Sequence, residues 1–390
     1  MNCFTMAVKK ITVRAPGKII LHGEHAVVYG KMAIAAAVNG FMEVQLEGRY
    51  SEGGLNFKMS DLCEKTVVIS LDLLKAIHTK CSKQCPLNEN PETWKNLIKE
   101  FIVECFATEN ELLHIALTVS IYCYFKTFNK GPGKGLPSLD ITVTSNNLPI
   151  GAGLGSSSAF SVALATALLI YTDTIKTSDG YTLEKDSLFE INNLAYDLEQ
   201  IVHGRPSGVD NAVSTYGGAV KFENGKINHF KSFPHIRIMV VDSGVTRNTK
   251  AMVANVKEKY DKVTKVMQPI LESFHEISKA AEDLFTNYSQ CNTFDEQFKT
   301  LITTNHHLLN AIGVGHPKLD EINEIATNNG FASKLTGAGG GGCMFVYLPS
   351  SASDKNVEKL KQNLLQGGFK CWEVTLGCPG VTVVHLELLT

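Results

Sequence analysis

Between an alternating segment, LDITVTSN, and an apolar run, AFSVALATALLIY, the chain carries LPIGAGLGSSS. This junction limits the fold more than any other stretch. The alternation has the period of a strand, and the run reads as a buried helix, so the glycines and serines must turn the chain between them. Glycine loses more backbone freedom on folding than any other residue, yet Gly151, Gly153 and Gly155 stand within five positions. A tight turn with a serine N-cap accounts for one Gly and one Ser, not three of each. A bare backbone at the start of a helix presents free N–H groups and the positive end of the helix dipole. That combination favours an anion, and phosphate is the expected one.

Several phosphate chemistries are excluded by spacing. A Walker A loop needs Gly-Lys-Ser/Thr, and neither this loop nor the GKGL near Lys134 supplies it. A dinucleotide fingerprint is Gly-x-Gly-x-x-Gly after the first strand of a βαβ unit, whereas this loop is Gly-x-Gly-x-Gly at mid-chain. GAGGGG at 337–342 does fit that spacing, but a strand pattern follows it rather than a helix. No HRD or DFG pattern of a protein kinase occurs.

The rest of the chain mixes strand and helix patterns without a regular βαβ repeat, which predicts an α+β fold. KKITVRA alternates, Pro16-Gly17 breaks the pattern, and a short strand reaches Leu21. KMAIAAAVN and FMEVQLEG read as two strands with a turn at Asn39-Gly40. From 49 to 92 the pattern is weak, and CSKQCPLNENPE reads as a surface loop. LLHIALTVSIYCYF is a buried helix, NKGPGKGLPS a flexible connection, and AVKFENGKINHF a hairpin turning at Asn224-Gly225. A boundary near 230–234 divides the chain into domains at 1–230 and 231–390. Beyond it lie a strand, two long amphipathic helical segments over 248–312, and FASKLTGAGGGGCMFVYLP as strand, loop and strand.

With 44% hydrophobic residues and a formal net charge of -2, the 390-residue chain has no basic excess for nucleic acid. An anionic substrate must therefore meet a local cluster of charges. MNCFTMAVKK has no apolar core for a signal peptide. The apolar run is interrupted by Ser161 and Thr166 and is too short to span a bilayer. A cytoplasmic protein with no membrane partner is expected, and a peroxisomal address stays open. The ten cysteines are scattered, so free thiols are expected. His78, Cys81 and Cys85 form the one dense group, without the second pair that a structural zinc needs.

Three further stretches carry candidate chemistry. In EQIVHGRPSGVDNAVS, Glu199 falls in the last turn of a helix, where a carboxylate has the wrong sign for the dipole unless a cation faces it. Asp210 follows the Pro206-Ser207-Gly208 turn and suits either a helix start or a general base. In APGKIILHGEHAVV, Lys18, Glu24 and His25 are surface groups or part of a site. In GVTRNTK, Arg247 and Thr249 follow a strand end, as an anion pocket or a capped helix start.

Taken in order, these stretches resemble the small-molecule kinase superfamily of galactokinase, homoserine kinase, mevalonate kinase and phosphomevalonate kinase, the GHMP kinases. PIGAGLGSSSAF is similar to the superfamily's central phosphate motif and KLTGAGGGGC to its C-terminal glycine motif. APGKIILHGEHAVVYG and HGRPSGVDNAVSTYGGA resemble the mevalonate kinase branch almost letter for letter. The resemblance implies a two-domain α+β fold with the active site in the cleft between domains. It implies ATP and Mg²⁺ as cofactors and mevalonate as the small-molecule substrate, with a homodimer and feedback by prenyl diphosphates as further family expectations. Gly151, Ala152, Gly153, Leu154, Gly155, Ser156 and Ser157 would cradle the ATP phosphates, with Mg²⁺ on Ser157 and Glu199. Asp210 matches the catalytic aspartate, and Lys18 the lysine that pairs with it and contacts the phosphoryl group. Glu24, His25, Arg247 and Thr249 match substrate-side positions, and Gly337, Ala338 and Gly339 belong to a loop closing on the site. The chain departs from the family at Ser158, where an alanine is usual, so a second serine competes to reach the metal. A sibling GHMP kinase acting on phosphomevalonate or galactose, and a non-catalytic sensor, are the alternative readings.

Overall fold

Two long strands, β1 (Val8–His22) and β2 (Ala33–Arg49), run antiparallel and organise the molecule. The structure is a computed structural model that describes residues 8–49, 53–87, 89–106, 110–128, 136–204, 206–246 and 248–389. After β2 come β3 (Leu55–Met59), β4 (Cys63–Ile69), α1 (Leu71–Gln84), α2 (Pro91–Cys105), α3 (Glu111–Phe128), β5 (Ser138–Asn146) and α4 (Ser156–Tyr171). A small pair, β6 (Thr177–Ser178) and β7 (Thr182–Leu183), leads to α5 (Lys185–His203), α6 (Val209–Tyr216) and the hairpin β8 (Ala219–Glu223) and β9 (Lys226–His229). The chain continues through β10 (Ile236–Asp242), α7 (Thr249–Lys262), α8 (Thr264–Thr286), α9 (Phe294–Ala311) and α10 (Pro317–Asn328). It closes with β11 (Ser333–Leu335), β12 (Cys343–Leu348), α11 (Asp354–Gln366), β13 (Lys370–Leu376) and β14 (Thr382–Leu389).

One sheet of twelve strands joins the two sequence halves, because β13 and β14 return to pair with β2 and β1. The boundary expected at 230–234 falls in the connection between β9 and β10, and the sheet runs across it. The expected α+β mixture is present, and the pairing is antiparallel apart from β3 on β5.

Four expectations need correction. Asn39-Gly40 is not a hairpin turn: β2 continues past it as a two-residue bulge opposite Pro16 and Gly17, and the Asn39 side chain accepts from Thr375 N–H at 2.7 Å. Glycine is needed there for close approach, since a Cβ on Gly40 would stand 2.4 Å from Asn147 O. The break at Pro16-Gly17 is only a register shift inside β1. The weakly patterned 49–92 contains β3, β4, α1 and the start of α2, so CSKQ of the expected loop is helix. The helical region of 248–312 is three helices, interrupted at Val263 and again after Asn287. The flexible connection expected at 129–135 lies outside the described residues.

The first half of β2, AIAAAV, is buried on both faces. Small side chains suit it, because α4 and α6 pack against this strand together with α8. Helix α4 is buried without a break from Ser158 to Tyr171. Its C-terminal carbonyls, Ile170 and Tyr171, accept from Lys9 Nζ at 3.2 and 3.3 Å, a cation at the negative end of the dipole. No described helix is long and apolar enough to cross a membrane. A second core lies between β10–β12 and helices α7–α11, around Met239, Phe274, Leu309 and Leu335.

Polar groups are trapped where α9 meets β11. His306 is 1% exposed, and burial, followed by the charge of Lys334, pushes it from 6.5 to about 4. The folded chain thus stays neutral there while the unfolded chain takes up a proton near 6.5. Falling pH therefore favours unfolding through this group, by up to about 1.4 kcal/mol per pH unit between 6.5 and 4. The raised carboxyls of Glu24 and Glu199 act in the opposite direction, so the informative comparison is variant against parent. Denaturant unfolding at pH 7 and pH 5 should show His306→Leu losing about 2 kcal/mol less than the parent over that interval. Equal losses would contradict the assignment.

Candidate active site

The glycine loop after β5 adopts the conformation that its composition demands. Gly151, Gly153 and Gly155 have φ of 78, 87 and 73°, the left-handed region that other residues avoid. Gly155 is the N-cap of α4, and a Cβ there would meet Lys18 Cγ at 2.8 Å. Lys18 N–H donates to Leu154 O at 2.7 Å, which pins the loop to β1. The first turn of α4 therefore opens directly beside Lys18.

The start of α6 completes this corner. Asp210 lies in its first turn, with Oδ2 3.2 Å from Lys18 Nζ. Helix α6 is fixed from two sides: Ser214 Oγ donates to Pro16 O at 2.7 Å, and Asn211 Nδ2 to Asn192 Oδ1 at 2.8 Å. Lys18, Asp210, Gly151, Gly153, Gly155, Ser156 and Ser157 all line one cavity of about 300 Å³. Its other wall is apolar, with Met42, Met59, Ile115 and Phe160 among its members. The lining thus combines a lysine, an aspartate and a glycine loop with apolar side chains, which suits a ligand that has both charged and apolar parts.

Glu199 is 2% exposed in the last turn of α5, its Oε1 accepting from Ser161 Oγ at 3.1 Å. Burial, and secondarily the charge of Asp210, pushes its pKa up to about 7. The orientation of the serines is decided by packing. Ser157 lines the cavity, whereas Ser158 is wholly buried at the α4–α5 contact, beside the Glu199 carboxylate. A buried carboxylate and a half-buried hydroxyl on facing helices form an oxygen donor set of the kind that suits a hard divalent cation.

His203 also lines the cavity, with Nε2 3.3 Å from Ser157 Oγ and 3.6 Å from Glu199 Oε2. Burial lowers its pKa. Sequence reasoning did not assign it, although its i,i+4 relation to Glu199 on one helix face was a usable signal. Ser161, Asn305 and Lys334 were missed as well, the last two because their partner Glu24 is some 300 positions away.

The substrate-side candidates are placed differently. Glu24 is 1% exposed and does not line the cavity: its oxygens are taken by Lys334 Nζ and by Asn305 Nδ2. His25, with φ of 57°, holds Ala338 O with Nε2 at 2.8 Å and so touches the second glycine loop. Gly340 and Gly342 of that loop donate N–H groups to Val314 O and Val245 O at 2.8 and 2.9 Å. Thr249 is exposed at the first position of α7, and Arg247 lies outside the described residues.

The arrangement has clear relatives. The GHMP kinases N terminal domain and GHMP kinases C terminal families match residues 109–218 and 292–365. Mevalonate kinase of Bos taurus is 40% identical over 96% of this chain and 94% of its own length. Among solved structures, Methanococcus jannaschii mevalonate kinase superposes with a TM-score of 0.70 at 24% identity, covering 94% of this chain and 98% of that one. Mevalonate kinase of L. major in complex with R-mevalonate gives 0.67 at 20%, covering 94% and 96%. The two solved structures share the fold, and the bovine likeness, carried almost end to end, places this chain in the mevalonate kinase family of the GHMP kinases.

Proposed function

We propose that the chain transfers the γ-phosphoryl group of ATP to the primary hydroxyl of mevalonate. The observation that carries this reading is the Lys18–Asp210 pair, 3.2 Å apart, in the same cavity lining as the glycine loop and the start of α4, with Lys18 beside Gly155. Phosphoryl transfer needs positioning and charge neutralisation more than covalent chemistry. The loop 151–157 and the first N–H groups of α4 receive the phosphates, and the apolar wall receives the base. Asp210 accepts the hydroxyl proton as the oxygen attacks, and Lys18 offsets charge on the phosphoryl group in flight.

Ser157 Oγ and the Glu199 carboxylate would hold Mg²⁺, with Ser161 orienting the carboxylate by its hydrogen bond. When bound, the ion neutralises phosphate charge and supplies the cation that a carboxylate at the end of α5 calls for. The family resemblance assigns His25, Thr249 and Arg247 to the alcohol side, together with the loop at Gly337, Ala338 and Gly339. Glu24, buried and doubly engaged, supports that side from behind. The same family reading carries a homodimer and a cytoplasmic location.

An ADP-release assay across mevalonate, phosphomevalonate and galactose should give the highest kcat/KM with mevalonate; preference for either rival would reassign the substrate. Asp210→Asn should lower kcat by about 10³-fold while nucleotide still binds, and undiminished turnover would remove Asp210 as the base. Glu199→Gln should raise the Mg²⁺ concentration for half-maximal nucleotide binding about 10-fold, and an unaltered requirement would remove Glu199 from the metal. Light scattering should return twice the 42.6 kDa chain mass if the dimer holds.

A further inference from the structure

Just beyond the end of β1, a charge pair is sealed from solvent. Lys334 of β11 and Glu24 both have side chains with 0% exposure, and Lys334 Nζ donates to Glu24 Oε1 and, at 2.9 Å, to Leu335 O. Asn305 Nδ2 of α9 donates to the second Glu24 oxygen at 3.4 Å, and Asn305 Oδ1 lies 3.0 Å from His22 Nδ1. Three elements distant in sequence are thus joined through one carboxylate. A buried ion pair is a poor source of stability, because desolvating both charges offsets most of their attraction, and a well-packed apolar pair would often serve better. What such a pair does supply is a fixed position.

The neighbours on both sides of the pair belong to the catalytic region. His25, next to Glu24, holds Ala338 O at 2.8 Å from a left-handed backbone that it adopts against its preference. Thr336, two residues beyond Lys334, donates from Oγ1 to Ile20 O at 2.9 Å, and Ile20 is two residues from Lys18 on the same strand. The loop 337–342 then reaches Val314 O and Val245 O, the latter shortly before Arg247 and Thr249. Displacing Lys334 would therefore shift His25, the glycine loop and the end of β1 together.

We propose that Lys334 is a positioning residue for phosphoryl transfer. By gripping Glu24 it fixes the seam of His25 and the loop 337–342 against β1, and thereby the place of the alcohol relative to Lys18 and Asp210. The phosphate loop is held at Lys18, through Leu154 O, and has no direct contact with the pair, so nucleotide binding is expected to change less than the handling of the alcohol. This inference rests on the reading of Lys18–Asp210 as the transfer site. A parent chain that binds ATP but phosphorylates no mevalonate would refute that reading, and is measured first.

The test replaces both charges at nearly constant volume, in the double variant Glu24→Gln with Lys334→Met. The expected outcome is an unchanged or higher melting temperature, affinity for a fluorescent ATP analogue within about 2-fold of the parent, and kcat/KM for mevalonate lowered at least about 10-fold, the scale of a misplacement near 1 Å or less. Parent kinetics at parent stability would make the pair purely structural and overturn the proposal, as would an equal loss of nucleotide affinity. Should the double variant fail to fold, Lys334→Arg keeps the charge but not the position of a single ammonium. Lowered kcat/KM for mevalonate in a folded Lys334→Arg chain supports the proposal, and parent values overturn it. If neither chain folds, the pair is structural and the proposal fails.

Discussion

One backbone hydrogen bond, from Lys18 N–H to Leu154 O at 2.7 Å, sets the geometry on which the site depends. It ties the glycine loop to β1, and it does so at the residue whose ammonium meets Asp210. The bond lies directly after the point where the register of β1 against β2 shifts, between Pro16 and Gly17. Gly155 then lies so close to Lys18 that no side chain fits between them. Loop, strand and helix α4 accordingly behave as one rigid unit, with the first turn of α4 fixed in direction by its burial between β1, β2 and α5. Pre-set donors of this kind lose little on meeting a charged ligand, since their reorganisation has already occurred in folding.

Around that unit the electrostatics are arranged by burial. Glu199 is pushed up to about 7 chiefly because it is withdrawn from water, and the nearby Asp210 adds to the effect. Two carboxylates in one corner repel, and Lys18 relieves only the outer of them by contact. The corner is therefore poised for a further positive charge, which agrees with phosphates and a divalent ion arriving together. Around Glu24 the logic is mechanical. Lys334, Glu24, Asn305 and His22 form a closed polar chain with no water access, and such a chain has few alternative arrangements.

Much of the fold was legible because its signals are local. The alternation of LDITVTSN, the apolar run of α4 and the Asn224-Gly225 turn each depend on residues a few positions apart. The failures were also local in kind. Asn39-Gly40 has the composition of a turn, but β2 passes it as a bulge: neither residue pairs with β1 or β5, and pairing on either side, at Val38 and from Phe41 on, keeps the strand going. Helices α1 and α2 and their neighbouring strands escaped notice because their apolar faces are narrow, and their burial comes from packing on one another and on α3.

The sequence by itself determined the residue types at hand: a loop with three glycines in five positions opening a helix, an acid at the wrong end of a helix, a lysine and an aspartate in recognisable frames. It also determined the family, since those frames are long and ordered. Only the tertiary structure decided which groups meet. It turned Ser157 toward the cavity and Ser158 into the core, a matter of which face of α4 packs on α5. It withdrew Glu24 from the cleft to face Lys334, because pairing across some 300 positions is set by how β1, α9 and β11 converge and leaves no mark on the residues beside them.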